Sequence, residues 1–169
     1  MINQALVRHF QPDEWPVYKV LRLRSLEDSP MAFGSTLDLE SQRPDVVWAE
    51  RLRNAVASEQ DCVLLAEMDG AACGLVWAKA DASDPRTANL YQMWVAPEAR
   101  GHGLGDALLQ AAIDWARQAG AHFVKLGVAV GDTPAARLYQ RAGFMADGAE
   151  EPIRAGSAAL SQGMVLTLL

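Results

Sequence analysis

The sequence is poor in cysteine, in excess positive charge and in long apolar runs, and each scarcity excludes a class of protein. Its two cysteines, Cys62 and Cys73, each sit in an apolar, strand-like stretch. Two thiols do not make a disulfide scaffold, and neither has Cys or His neighbours at metal-ligand spacing. They read as small core hydrophobes, and no metal is expected. Fifteen Lys and Arg stand against 21 Asp and Glu, a formal net charge of −6. A general nucleic-acid binder carries a basic field, so no nucleic-acid partner is expected, although a few local groups can still hold a small anion. No window approaches ~18 consecutive apolar residues, so no membrane span is expected. The opening MINQALVRHFQPDEW lacks the charged start and apolar stretch of a secretory signal. A cytoplasmic protein with reduced thiols is the resulting expectation.

What is present is ordinary globular composition. The chain has 169 residues, 50% hydrophobic and 21% charged. At roughly 150 residues per domain, that predicts one domain over 1–169, with enough chain to bury a core unaided. No repeat, low-complexity tract or linker interrupts it.

The first half predicts a strand at Ala5 to Phe10 and a helix over Trp15 to Leu26, with Val17, Val20, Leu21 and Leu23 at roughly helical spacing. Pro30 ends that helix, because a residue before Pro avoids the α region. A second helical stretch follows Pro44, carrying Val47, Trp48, Arg51 and Leu52. Cys62 to Met68 and Ala71 to Ala80 read as strands joined by Asp69-Gly70, a strong hairpin signal. Asn89 to Val95 is the next strand.

Beyond it, Leu104, Leu108, Ala111 and Trp115 mark one face of an amphipathic helix, with Gly120 as its C′ cap. Phe123 to Val130 is a strand. Thr133-Pro134 starts a helix as N-cap and N1, with Ala135, Leu138 and Ala142 as its buried stripe. Gly143 closes it. Glu150 to Ser161 is irregular, and Met164 to Leu168 is a last strand. The order predicts an α/β domain: a central mixed sheet, helices on both faces, and a right-handed β–α–β unit near the end.

The chemistry-bearing stretch runs from Val95 to Gly105, between a strand and a helix N-terminus. Unsatisfied amides and the positive end of the helix dipole converge there, and glycine lets backbone approach a ligand. That is an anion site suited to phosphate or pyrophosphate. No Gly-Lys pair occurs, which excludes a P-loop. The dinucleotide fingerprint G-x-G-x-x-G/A fits neither frame: Asp106 follows one and Leu108 the other.

Arg100-x-x-Gly103-x-Gly105 does match the [RQ]-x-x-G-x-[GA] loop of the GNAT superfamily, the acyl-CoA-dependent N-acetyltransferases. Asp132 to Phe144 resembles that family's N-x-x-A-x-x-L-Y-x-x-x-G-F, and Arg22 to Ser35 is similar to its first helical region. The resemblance implies the GNAT fold and acetyl-CoA as cosubstrate, held by Arg100, Gly101, His102, Gly103, Leu104 and Gly105 at the pyrophosphate. It places Met93 and Val95 beside the pantetheine arm, where a backbone amide is also an oxyanion donor, and Asp132 near the cofactor as a helix cap in place of the family's Asn. Tyr139 falls on the general-acid position. A phenol of pKa about 10 protonates a thiolate whose thiol has pKa about 8.5 only modestly uphill.

The acceptor implied is a primary amine on a small molecule or peptide, with Phe33, Trp77 and Tyr91 as candidate contacts alongside Trp48 and Glu150 to Ser161. The strand Asn89 to Val95 lacks the carboxylate that some relatives use as general base. Gln92 cannot replace it, which leaves a water chain, Glu40 or another residue of the N-terminal helices. That gap also keeps open a non-catalytic acyl-CoA-binding module. The resemblance further implies a homodimer, which pairing of an exposed strand at Met164 to Leu169 would suit.

Overall fold

The computed structural model describes residues 4–168. Strand β1 (Ala5–His9) is followed by a 3-10 turn and helix α1 (Trp15–Asp28), a short α2 (Leu37–Ser41) and α3 (Asp45–Ala57). Strands β2 (Asp61–Met68), β3 (Ala71–Ala80) and β4 (Thr87–Val95) lead to a second 3-10 turn at Pro97–Ala99 and to α4 (Leu104–Gln118). Strand β5 (Phe123–Ala129), helix α5 (Pro134–Arg141), the short strands β6 (Met145–Ala146) and β7 (Glu151–Pro152), and β8 (Leu160–Thr167) complete the chain. The sheet order is β1-β2-β3-β4-β5-β8-β6, with β7 also on β8. Only β4 and β5 pair in parallel among the described strands.

Strand β2 is buried without a break from Cys62 to Ala66, and β3 from Cys73 to Val76. Unbroken burial requires cover on both faces. On one face, a Cβ built on Gly74 lies 3.2 Å from Leu108 of α4. On the other, Trp77 meets Tyr18 of α1 at 5.8 Å between ring centroids. Both cysteines are free and buried, as small core hydrophobes.

The helix stripes differ from the simplest reading. In α1 the buried residues are Tyr18, Leu21, Arg22, Ser25 and Leu26, while Val20 is exposed. That is a clean i, i+3, i+4, i+7, i+8 face, but two of its members are polar, so a stripe drawn through apolar residues alone is rotated. In α4, Leu109, Ala112, Ile113 and Ala116 join Leu104 and Leu108 in the core, and Ala111 and Trp115 lie at the margin. In α5 the buried alanine is Ala136; Ala135 and Ala142 are exposed.

The expected free edge at the C-terminus is absent among the described residues. Strand β8 lies between β5 on one side and β6 and β7 on the other, and Met164 is buried. Strand pairing to a second copy there would have to displace existing ladders. Leu169 lies outside the described residues.

One topological detail shapes the site. The parallel pairing of β4 with β5 covers only Thr87–Asn89 against Phe123–Lys125. Beyond that point the strands fork. In β4 the register shifts, because Leu75 faces Trp94 while Trp77 faces Tyr91, leaving one extra residue in β4. Gln92 sits at this bulge with φ +60°, a left-handed conformation costing about 1–2 kcal/mol for a non-glycine residue. Tyr18 Oη donates to Gln92 Oε1 at 2.8 Å, and Tyr18 is itself wedged edge-on among Phe10, Trp48 and Trp77. The aromatic cluster thus holds the bulge in place.

Candidate active site

The fork between β4 and β5 opens into a cavity of about 1250 Å³. Its walls include Leu90 to Val95, Lys125 to Ala129, the loop after β4, the segment after α1, and the start and centre of α5. Phe33, Tyr91, Met93, Val95, Arg100, Gly101, Gly103, Leu104, Gly105 and Tyr139 all line it.

The loop from Gly101 to α4 is built to leave its amides free. Gly101 and Gly103 take φ +82° and +79°, and Gly103 stands at the N-cap without any side-chain cap. Among the described residues, no backbone carbonyl or side chain accepts from the amides of Gly101 to Asp106; the next, Ala107, donates to Gly103 O at 3.0 Å. A run of unsatisfied N–H groups at a helix N-terminus is an anion cradle.

Arg100 is a structural member of this loop. Its Nε donates to Val95 O at 3.0 Å, and its Nη2 to Asp28 Oδ2 at 2.6 Å. Asp28, at the end of α1, also accepts from Trp94 Nε1 at 3.0 Å and Ser29 Oγ at 2.8 Å. Hydrogen bonds from Trp94, Ser29 and Arg100, with the Arg100 charge, hold its carboxyl down to about 2. Asp28 therefore ties α1, β4 and the anion loop together. In the sequence this helix ends at Pro30 and Asp28 has no assigned role, because its partners Trp94 and Arg100 lie 66 and 72 positions away.

Tyr139 is fixed by the end of α5. Gly143 N donates to Gln140 O at 3.1 Å and Phe144 N to Tyr139 O at 3.0 Å, the pair of bonds of a Schellman motif. Gly143 supplies the required φ of +101°, and Phe144 packs edge-on against the Tyr139 ring. Thr133 caps the other end, accepting from Ala136 N at 3.1 Å. The Tyr139 hydroxyl makes no hydrogen bond among the described residues, and burial drives its pKa well above the usual phenol value.

Two expected site residues, Trp77 and Asp132, lie elsewhere. Trp77 donates from Nε1 to Asp61 at 2.8 Å and packs on Tyr18, so it belongs to the core. The His102 ring is turned back on its own loop, with Nδ1 at 3.0 Å from Arg100 O and 3.3 Å from Ala99 O, while its backbone amide stays in the free run. Asp132 is exposed and paired with Arg137 at 2.7 Å; Thr133, one residue later, takes the cap. Glu40 is also unsuited as a base. Its carboxylate is buried against Arg22 at 2.9 Å and Arg51 at 3.6 Å, and Glu40 does not line the cavity. The carboxylates on the cavity wall are engaged too, Asp28 by Arg100 and Asp106 by Arg141 at 3.5 Å. No group of three or more His, Cys, Asp or Glu able to hold a metal occurs among the described residues, and no helix there is long and apolar enough to cross a membrane.

The family model of the GNAT acetyltransferases matches residues 22–144, which span the fork, the anion loop and α5. The chain belongs to the GNAT acetyltransferase family. Mycothiol acetyltransferase of Thermobispora bispora is 32% identical over 144 residues, 82% of this chain and 45% of that protein. The enzyme of that name from Pseudarthrobacter chlorophenolicus is 39% identical over 85 residues, 48% of this chain and 26% of its own length. The chain thus matches less than half the length of each of these relatives. Among solved structures, yncA of Salmonella typhimurium with its cofactor acetyl-CoA superposes with a TM-score of 0.81 at 20% identity, covering 98% of this chain and 95% of that one. Spermidine N-acetyltransferase of Vibrio cholerae, in complex with CoA and spermine, gives 0.78 at 20% identity, covering 97% and 95%. At that identity the likeness is one of fold, the mixed sheet flanked by helices.

Proposed function

We propose that this GNAT protein transfers the acetyl group of acetyl-CoA to a primary amine. The run of free amides from Gly101 to Asp106, opening onto the β4–β5 fork, carries this reading. Those amides and the positive end of α4 suit a pyrophosphate. The forked edge at Met93 and Val95 offers an extended arm a strand to lie along, although the Val95 carbonyl is already taken by Arg100. Acetyl-CoA supplies the acyl group as an activated thioester.

We assign Tyr139 the role of proton donor. Tyr139 lines the cavity, its hydroxyl has no competing protein partner among the described residues, and burial keeps it protonated. The wall offers no unpaired carboxylate among those residues to deprotonate the amine, so the amine's proton leaves to water, and Tyr139, after protonating the departing thiolate, regains its proton from water. Relatives named for mycothiol acetylation and a neighbour named for spermidine support an amine acceptor.

Calorimetric titration with acetyl-CoA, CoA and NADH, followed by CoA release against an amine panel, tests the reading. Micromolar acetyl-CoA binding, no NADH binding and release with at least one amine are expected. Failure to bind acetyl-CoA refutes the proposal. Binding without release from any amine favours an acyl-CoA-binding module. Tyr139→Phe is expected to lower turnover more than about tenfold while acetyl-CoA affinity stays within about twofold. Near-wild-type turnover removes Tyr139 from the chemistry.

A further inference from the structure

We propose that the acceptor carries a carboxylate, bound at the cavity wall by the free Nη1 of Arg22 and the hydroxyl of Ser35, and that it is an α-amino acid with an apolar side chain. The inference deepens the acetyl-transfer reading and rests on it for the position of the amine.

Arg22 occupies a core position of α1 and is 4% exposed. Its guanidinium is engaged on one side only. Nη2 meets Glu40 Oε2 at 2.9 Å and Nε meets Oε1 at 3.4 Å. Nη1 is buried with no partner among the described residues, and Arg22 lines the cavity. Ser35 Oγ is also buried, unpartnered and on a cavity-lining residue. Buried donors left unpaired are costly, so two of them at one cavity call for an acceptor from outside the chain.

The local charge says which acceptor. Glu40 is shared by Arg22 and by Arg51 at 3.6 Å. Two guanidinium groups against one carboxylate leave one positive charge uncompensated in a largely buried cluster. A monoanion restores neutrality where a dianionic phosphate would overshoot. Guanidinium N–H groups with a hydroxyl donor suit the two oxygens of a carboxylate. The Phe33 ring lies 4.8 Å from the Arg22 guanidinium, and Met31, Tyr91 and Ile153 share the wall. These surfaces favour an apolar side chain beside the charged end. Arg154, reaching back from the β7–β8 loop, donates to Phe33 O at 2.9 Å and holds this wall in place.

The test uses the twenty common L-amino acids, each against its α-amide, as acceptors for CoA release. In parallel, the N-acetyl derivatives of both sets are titrated calorimetrically into the CoA-loaded protein. Apolar acids are expected to exceed their amides at least about tenfold in kcat/KM, the scale of a charge-assisted hydrogen bond. N-acetyl acids are expected to bind tighter than N-acetyl amides by a similar factor. Arg22→Lys keeps a cation for Glu40 but loses the forked donor; it and Ser35→Ala are expected to bring the acid-to-amide ratio toward one. A ratio near one in the wild type, or an unchanged ratio in both variants, overturns the proposal. If acetyl-CoA binds and amides turn over as well as acids, only this inference fails. If acetyl-CoA does not bind at all, the acetyl-transfer reading fails, and the proposal falls with it.

Discussion

Gly103→Ala tests whether the anion loop works through its backbone conformation. Gly103 has φ +79°, and a Cβ built on it meets no atom within 4 Å. The substitution therefore introduces no clash, only left-handed strain of about 1–2 kcal/mol. For a protein of this length each kcal/mol shifts Tm by roughly 2–4 °C, so a loss of about 2–8 °C follows. Gly120, at the C′ position of α4, is a matched control with φ +89° and the same open space. Its Ala variant carries the same strain away from the cavity.

The two should diverge in ligand binding. In the unliganded Gly103→Ala variant the loop sheds strain by leaving the left-handed region, so about 2–8 °C is the upper bound of its Tm loss, and binding must restore what was shed. Restoring about 1–2 kcal/mol raises the acetyl-CoA Kd roughly 5- to 30-fold. Gly120→Ala loses at least as much Tm, with a Kd within about twofold of wild type. Differential scanning fluorimetry and calorimetric titration supply both numbers. Equal Kd for the two variants would refute the claim that the cradle is a conformational feature of Gly103.

Asp28→Asn should cost about 1 kcal/mol, a figure discounted for the 28% exposure of this carboxylate, and should weaken acetyl-CoA binding by loosening Arg100. Because the Asp28 pKa is depressed to about 2, its stabilisation is present above about pH 4 and is lost as pH falls toward 2; the variant should show a shallower acid limb in denaturant titrations. All three tyrosines, Tyr18, Tyr91 and Tyr139, have pKa values raised by burial. The folded state therefore holds those protons longer than the unfolded chain, so stability should fall as pH rises above about 10, and absorbance at 295 nm should show no tyrosinate in the native protein below that pH. Burial pushes the Cys62 thiol up to about 12 and raises that of Cys73, so native protein at pH 8 should not react with Ellman's reagent within minutes, whereas guanidinium should release two thiols.

The hairpin and the two later helices were legible because their signals are local. Asp69-Gly70 adopts φ values of 53° and 82°, as a type I′ turn demands. Thr133, Pro134 and Gly143 cap α5 where their chemistry says they should. The anion loop was legible for the same reason: glycine spacing before an amphipathic helix states which amides are left unpaired. The short α2 carried a readable signal in Thr36, whose side chain accepts from Leu39 N, but five residues give little periodicity.

Sequence by itself thus determined the longer elements and the glycine loop before α4, since each depends on backbone preference within a few positions, while α2, β7 and the start of β8 at Leu160, inside a stretch that reads as irregular, were not legible. Tertiary structure decided what those elements face. Trp77 and Tyr91 pair across adjacent strands, yet one is locked on Asp61 and Tyr18 and the other lines the cavity. Arg22 finds its buried partner in Glu40, 18 positions later, a pairing that no local pattern announces. The fork between β4 and β5 has no sequence signature of its own, because it arises where a parallel ladder stops and a bulge begins. Which donors remain unpaired, and hence what the cavity can bind, depends on the sum of distant contacts that fold the chain around it.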